Sequence, residues 1–210
     1  MKIWNKKTNT TNSPIDAFLS GEDVALDQEL FLYDIEASIA HAEELRAIKI
    51  LSAVELKKMV AALKKLAKLF TTNEFKLTNK YEDCHSAIED FLTKKLGDLG
   101  KKIHTGRSRN DQVLVAMRLY ARDHLEQIHG LNLKIAKIFL LQASKHSDDP
   151  MPGYTHLQRA MPSTWGLWFG AFAESFLDNA ELLATTQSWM NLNPLGTAAG
   201  YGVNLPIKRD

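Results

Sequence analysis

The stretch IHTGRSRNDQV, Ile103 to Val113, sets two arginines, a serine, a threonine, a glycine, an asparagine and an aspartate at the head of a long apolar repeat. Beyond it Val113, Met117, Tyr120, Ile128, Leu131, Ile135 and Ile138 recur at helical spacing. They predict a helix from about Asp111 to His146, about 50 Å long at 1.5 Å per residue, with Gly130 tolerated at a cost in propensity. A polar loop feeding a helix start in this way suits a carboxylate or phosphate. Gly106 supplies backbone freedom, Ser108 and Asn110 short donors, and Arg107 and Arg109 forked cationic donors beside exposed amides. The same residues allow a plainer reading, in which Asn110 or Asp111 caps the helix and the arginines are solvated. The GxxxxGK[ST] spacing of a P-loop is missing.

Outward from this stretch the periodicity stays helical. Upstream, Leu32, Ile35, Ile39, Ala42, Leu45 and Ile48 mark one helix face, and Ser52-Ala53-Val54-Glu55 is a capping box opening a second helix through Leu56, Met59, Leu63, Leu66 and Phe70. A shorter helix is predicted over Asp83 to Leu96, stopping at Gly97, with His85 and Glu89 one turn apart. Downstream, SDDPMPGY breaks the long helix. Pro162 stands where a helix-starting proline belongs, so a further helix is expected from there to about Met190. Its run of Trp165, Leu167, Trp168, Phe169, Phe172, Phe176, Leu177 and Leu182 is too apolar to face water on one side only, which points to core or a subunit interface. Gly166, Gly170, Ala171 and Ala173 leave room for close helix approach, and Asn193-Pro194 ends the run. No alternating strand pattern or repeat stands out. The expectation is an all-α protein, with an N-terminal helical domain over 1–105 and, over 106–210, the first long helices of a central bundle.

Composition narrows the function. Lys plus Arg number 26 against 25 acidic residues, so a net charge of +1 offers no broad field for nucleic acid or an anionic membrane, and any anion must be held locally. No apolar run reaches membrane-spanning or signal-peptide length, and a single cysteine, Cys84, leaves neither an internal disulfide nor a zinc signature. A cytoplasmic protein without a metal is expected.

Two further polar islands follow the first. In MPGYTHLQRAMP, Met151 to Pro162, two prolines and a glycine bracket Thr155, His156, Gln158 and Arg159 on a stiff connection between the longest helices. An imidazole held at a fixed angle can transfer protons, with Thr155 available to a substrate oxygen. A lone histidine is otherwise a structural group. NPLGTAAGYG, Asn193 to Gly202, suits a tight turn or close backbone approach, or simply a loop after a helix.

Taken together, YDIEASIAHAEEL (33–45), EDCHSAIE (82–89), HTGRSRNDQV (104–113), PGYTHLQRAMP (152–162) and NPLGTAAGYG resemble the argininosuccinate lyases of the aspartase/fumarase superfamily. The resemblance implies a lyase that splits argininosuccinate into arginine and fumarate without metal or organic cofactor. A base removes a proton beside a carboxylate, an aci-carboxylate carbanion forms, and the guanidinium nitrogen leaves. Preorganised donors near Ser108 to Asn110 would suit that developing charge. By motif position the resemblance makes His156 the catalytic histidine and Asn110 and Thr155 substrate-binding, with His85, Ser86, Ser108 and Arg109 as further contacts. It also implies a homotetramer whose active sites are shared between subunits.

Two departures stand beside the likeness. The family's N-terminal serine pattern F-N-x-S-x-x-x-D is replaced by the longer FLSGEDVALD, so Ser20 is not assigned that role. The mobile loop G-S-S-x-M-P-Q-K-K-N-P, which in the family carries the catalytic serine, does not occur in these 210 residues. The chain is therefore expected to be an N-terminal portion, inactive alone and prone to self-association. Rival readings are an adenylosuccinate-type lyase, a non-catalytic relative that keeps the fold, and nucleic-acid binding through KKIHTGRSRN.

Overall fold

A computed structural model describes residues 21–194 and 198–208 of the chain. Six α-helices and one two-stranded ribbon are described: α1 (Asp23–Ala47), α2 (Ala53–Thr71), α3 (Cys84–Leu96), α4 (Asp98–Lys101), α5 (Arg109–Lys145), β1 (Pro150–Thr155), β2 (Gln158–Thr164) and α6 (Trp165–Met190). The architecture is mainly helical, as the periodicity predicts. Two compact units divide it, Met1–Tyr120 with Asn193–Asp210, and Ala121–Leu192.

In the first unit α1, α2 and α3 close on one another around Phe31, Leu45, Met59, Leu63, Leu66, Ile88 and Leu92, all fully buried. Phe31 stacks on Phe70 at 4.3 Å between ring centres. The helix ends follow from local chemistry. Ser52 accepts from the Glu55 amide while the Glu55 carboxylate accepts from the Ser52 amide, which satisfies two orphan donors at the start of α2. Gly97 ends α3 in the left-handed region at φ 64. The predicted stripe of α1 holds at Ile35, Ala42 and Leu45, all buried; Leu32 departs from it at 40% exposure, and Phe31, Asp34 and Ser38 are buried beside the stripe.

In the second unit α6 packs on the later turns of α5 through Phe139, which stacks on Phe172 at 5.3 Å and on Phe176 at 5.7 Å. Gly166 permits the approach, since a Cβ there would lie 2.6 Å from Ser147 Cα. Gly170 has open space around it and plays no such part.

The ribbon corrects the sequence expectation of a plain loop followed by a helix from Pro162. β1 and β2 pair antiparallel, with Pro152 opposite Pro162 and an irregularity between Pro152 and Tyr154. A two-stranded ribbon has only edges, where a missing proline N–H is tolerated, and its prolines and Gly153 erase the alternation that would announce strands. Helix α6 begins three residues later than predicted because Thr164 caps it, accepting from the Leu167 amide at 3.1 Å.

Candidate functional site

Helix α3 opens on Asp83, whose carboxylate accepts from the Ser86 amide at 2.6 Å, while the Ser86 hydroxyl accepts from the Asp83 amide at 3.2 Å. Ser86 is thus committed to the cap. The same Asp83 carboxylate pairs with Arg109 Nε at 3.0 Å, which ties the start of α3 to the start of α5. Arg109 Nη1 also donates to Gln112 at 2.8 Å and meets Glu89 at 3.3 Å. Glu89 further holds His104 Nδ1 at 2.9 Å and Gln112 Nε2 at 3.3 Å. Burial pushes the Glu89 carboxyl up, but the hydrogen bond from His104 and the charge of Arg109 outweigh it and hold the group below its usual range.

In the stretch Ile103 to Val113 the capping reading is what the structure shows, through Asp111, but Arg107 and Arg109 are held by the protein and are not solvated. Ser108 and Asp111 cap α5 reciprocally: the Ser108 amide donates to Asp111 Oδ2 at 2.6 Å and the Asp111 amide to Ser108 Oγ at 3.4 Å. Asn110 is exposed on the first turn, and no described residue hydrogen-bonds its side chain. Arg107 turns inward instead of into solvent. It is 7% exposed and donates to the Ile103 carbonyl at 2.9 Å and Ser38 Oγ at 3.4 Å. Gly106 has φ 78, and a Cβ there would lie 3.1 Å from Ile207 Cδ1. Its carbonyl accepts from the Ala199 amide, so the end of the third island lies against this turn.

Behind these caps lies a pair that the sequence reading did not find. His85 Nδ1 stands 2.7 Å from Asp34 Oδ2, and neither side chain has any exposure. Burial pushes the His85 imidazole down, yet the hydrogen bond and charge of Asp34 outweigh it and move the group up. A signal was present, because Asp34 and Ser38 interrupt an apolar stripe at i, i+4. Cys84, beside the pair, has its thiol pushed up by burial and by the Asp34 and Asp27 carboxylates. Asp34, Cys84 and His85 offer ligand atoms within 4.8 Å of one another.

His85, Ser86, Ser108, Arg109 and Asn110 therefore all belong to the first unit, around the starts of α3 and α5. Thr155 and His156 belong to the second, at the end of the ribbon, and both are exposed. His156 at φ 49 and Leu157 at φ 64 form the two-residue turn between Thr155 and Gln158. Such turns favour Asn-Gly; two consecutive non-glycine residues at positive φ are strained, and strain of this kind collects at functional sites. Ser20 and Gly196 lie outside the described residues.

Comparison with known proteins agrees with this frame. The sequence profile of a family described as lyase matches residues 6–210. The argininosuccinate lyase of Stenotrophomonas maltophilia (strain R551-3) is 50% identical over 208 residues, covering 99% of this chain and 48% of that protein. That of Xanthomonas oryzae pv. oryzae (strain PXO99A) is 51% identical over 207 residues, with the same coverage. The chain spans about half the length of the curated relatives it matches. Among solved structures, EDDS lyase in complex with formate superposes with a TM-score of 0.77 at 27% identity, covering 96% of this chain and 40% of that one. A variant of the same enzyme with bound fumarate gives 0.78 at 27% identity and the same coverage.

Proposed function

Because the chain belongs to the lyase family, we propose that it is the N-terminal portion of an argininosuccinate lyase, an enzyme that eliminates fumarate from argininosuccinate and releases arginine. The observation that carries this reading is identity of about half over nearly the whole chain to proteins of that name. Asn110 is the substrate-facing side chain at the α5 start, where the positive end of the helix dipole favours a carboxylate. His156 takes part in proton transfer from the strained ribbon turn, and Thr155 binds a substrate oxygen. His85 presents its ring from α3. Ser86, Ser108 and Arg109, whose polar groups are spent on caps and on Asp83 and Glu89, shape this corner around the substrate. No cofactor is required, and the partner is the small-molecule substrate.

The domain division is proposed as a helical N-terminal domain to residue 105 and the opening of a central bundle from 106. The assembly is a homotetramer with shared active sites. Exposed Leu131, Leu140, Leu167 and Leu182 on α5 and α6 support it, since open apolar faces drive association. No described helix is long and apolar enough to cross a membrane, and a cytoplasmic location suits the activity.

The test is a fusion of residues 1–210 to the remaining portion of the Stenotrophomonas relative. Fumarate release from argininosuccinate, followed by ultraviolet absorbance, is expected. His156→Asn should lower kcat by roughly 10²-fold or more. Residues 1–210 alone should release none and should self-associate by light scattering. Fumarate from adenylosuccinate in place of argininosuccinate, or from neither, overturns the reading.

A further inference from the structure

The Asp34–His85 pair has two outer atoms, Asp34 Oδ1 and His85 Nε2, and both are buried with no hydrogen-bond partner among the described residues. Packing explains the inner contact. It leaves the bare Nε2 unexplained, because a buried polar atom without a partner is unfavourable and is usually satisfied. Two different elements fix the pair: Asp34 comes from the middle of α1 and His85 from the first turn of α3. The charged and titratable groups bearing on the imidazole are Asp34, Asp83, Arg109 and Asp27, and the neighbouring Cys84 stays a thiol at ordinary pH.

We propose that Asp34 is a positioning residue: by accepting the Nδ1 proton of His85 it fixes the tautomer and the orientation of the ring, so that Nε2 is the atom presented to the substrate. The carboxylate does for this imidazole what an orienting acid does in any histidine relay, holding the proton on one nitrogen so that the other keeps a single role. Nε2 then accepts a proton when the ring is neutral and donates to a carboxylate when the ring is charged, and a dicarboxylate such as fumarate is the ligand class that fits. Since Nε2 is covered in the free chain, ligand access requires that cover to open. The inference rests on the reading above that His85 meets the substrate.

Two arms separate the inference from that reading. Imidazole nitrogen shifts of the ¹⁵N-labelled 210-residue chain should show His85 protonated at Nδ1 throughout. In Asp34→Asn the amide can donate to Nδ1, so the proton should move to Nε2, while Asp34→Glu, should the first variant unfold, should keep it on Nδ1. A wild-type proton on Nε2, or an unchanged ring in Asp34→Asn, overturns the proposal. In the fusion enzyme Asp34→Asn should lower kcat about tenfold or more, alter the pH profile and leave KM within about twofold. Adding it to His85→Asn should cost nothing further, because a residue acting through another has no effect once that other is gone. Additive losses or an unaffected kcat overturn the positioning role. A silent wild-type fusion removes the lyase reading and the substrate role of Nε2 with it, and the nitrogen shifts still decide whether Asp34 fixes the ring.

Discussion

The two units bury opposite kinds of side chain. In the first, Phe31, Leu45, Met59, Leu63 and Leu66 are closed to solvent. In the second the buried apolar residues are alanines, Ala136, Ala173 and Ala180, while Leu140, Leu167, Leu182 and Trp189 stand open on α5 and α6. Apolar content alone therefore does not make a core. Three helices meeting on one side enclose their large side chains, whereas two long helices and a ribbon cover only the seam between them, and the outer faces need further helices.

The sharpest way to break this contrast is truncation. Leu63→Ala, at a site with no exposure, should cost about 2–5 kcal/mol through lost transfer energy and the cavity left behind. Leu140→Ala, at 61% exposure, should fall within about 0.5 kcal/mol. Hydrogen exchange measured unit by unit reads both, since the two units need not unfold together. Equal costs would mean that the second unit's apolar faces are already covered.

A second substitution finds the one tight place in the open unit. Gly166→Val puts a side chain where a Cβ already comes within 2.6 Å of Ser147 Cα and 2.7 Å of the Ala143 carbonyl, so it should cost about 1–3 kcal/mol by overpacking. Gly170→Ala, with nothing nearby, should instead stabilise α6 by up to about 1 kcal/mol through helix propensity. Thermal melts of the pair decide whether the seam is as close as described.

Acid bears on the first unit through His41, which accepts from or donates to nothing charged but lies 3.0 Å from the Thr105 carbonyl. Burial first, then the charge of Arg107, holds it down to about 3. The folded chain thus keeps it neutral where the unfolded chain protonates it. Its contribution is fully present above the unfolded value of 6.5 and is lost as pH falls from there through about 3. His85 runs the other way, being moved up: its contribution is present at low pH and fades as pH rises through the raised value. His41→Gln should therefore flatten the decline in melting temperature between about pH 6 and pH 4. An unchanged decline would assign it to the carboxylates.

How much of this was legible follows from which force sets each element. The helices were, because a stripe such as Met59, Leu63, Leu66 is the burial itself written at helical spacing, and the Ser52 and Gly97 ends are local chemistry. The ribbon was not, since its pairing is a tertiary fact and Pro150, Pro152 and Pro162 argue against strands one residue at a time. Among the candidate residues, the polar islands announced Asn110, Thr155 and His156 as residue types. Ser86 and Ser108 are spent on local caps with Asp83 and Asp111, whereas the Arg109 ion pairs depend on α3 meeting α5, and Asp34 was hidden inside an apolar stripe.

The smallest effect concerns the ribbon turn, where local strain and function pull apart. Leu157 sits at φ 64 and is 94% exposed, so its side chain gains nothing from burial while its Cβ carries the left-handed penalty. Leu157→Gly removes that penalty of about 1–2 kcal/mol and adds unfolded-chain entropy worth about 0.5–1 kcal/mol, so the net should be a stabilisation of no more than about 1 kcal/mol. If the turn serves only to join two strands, the variant should melt slightly higher and leave the fusion enzyme's fumarate release untouched. If the strained turn holds His156 at its working angle, freeing the next residue should lower kcat while the melt rises, because glycine lets the tip sample other conformations. A rise in both would separate the strain from the chemistry and leave His156 oriented by the Thr155 and Gln158 pairing alone.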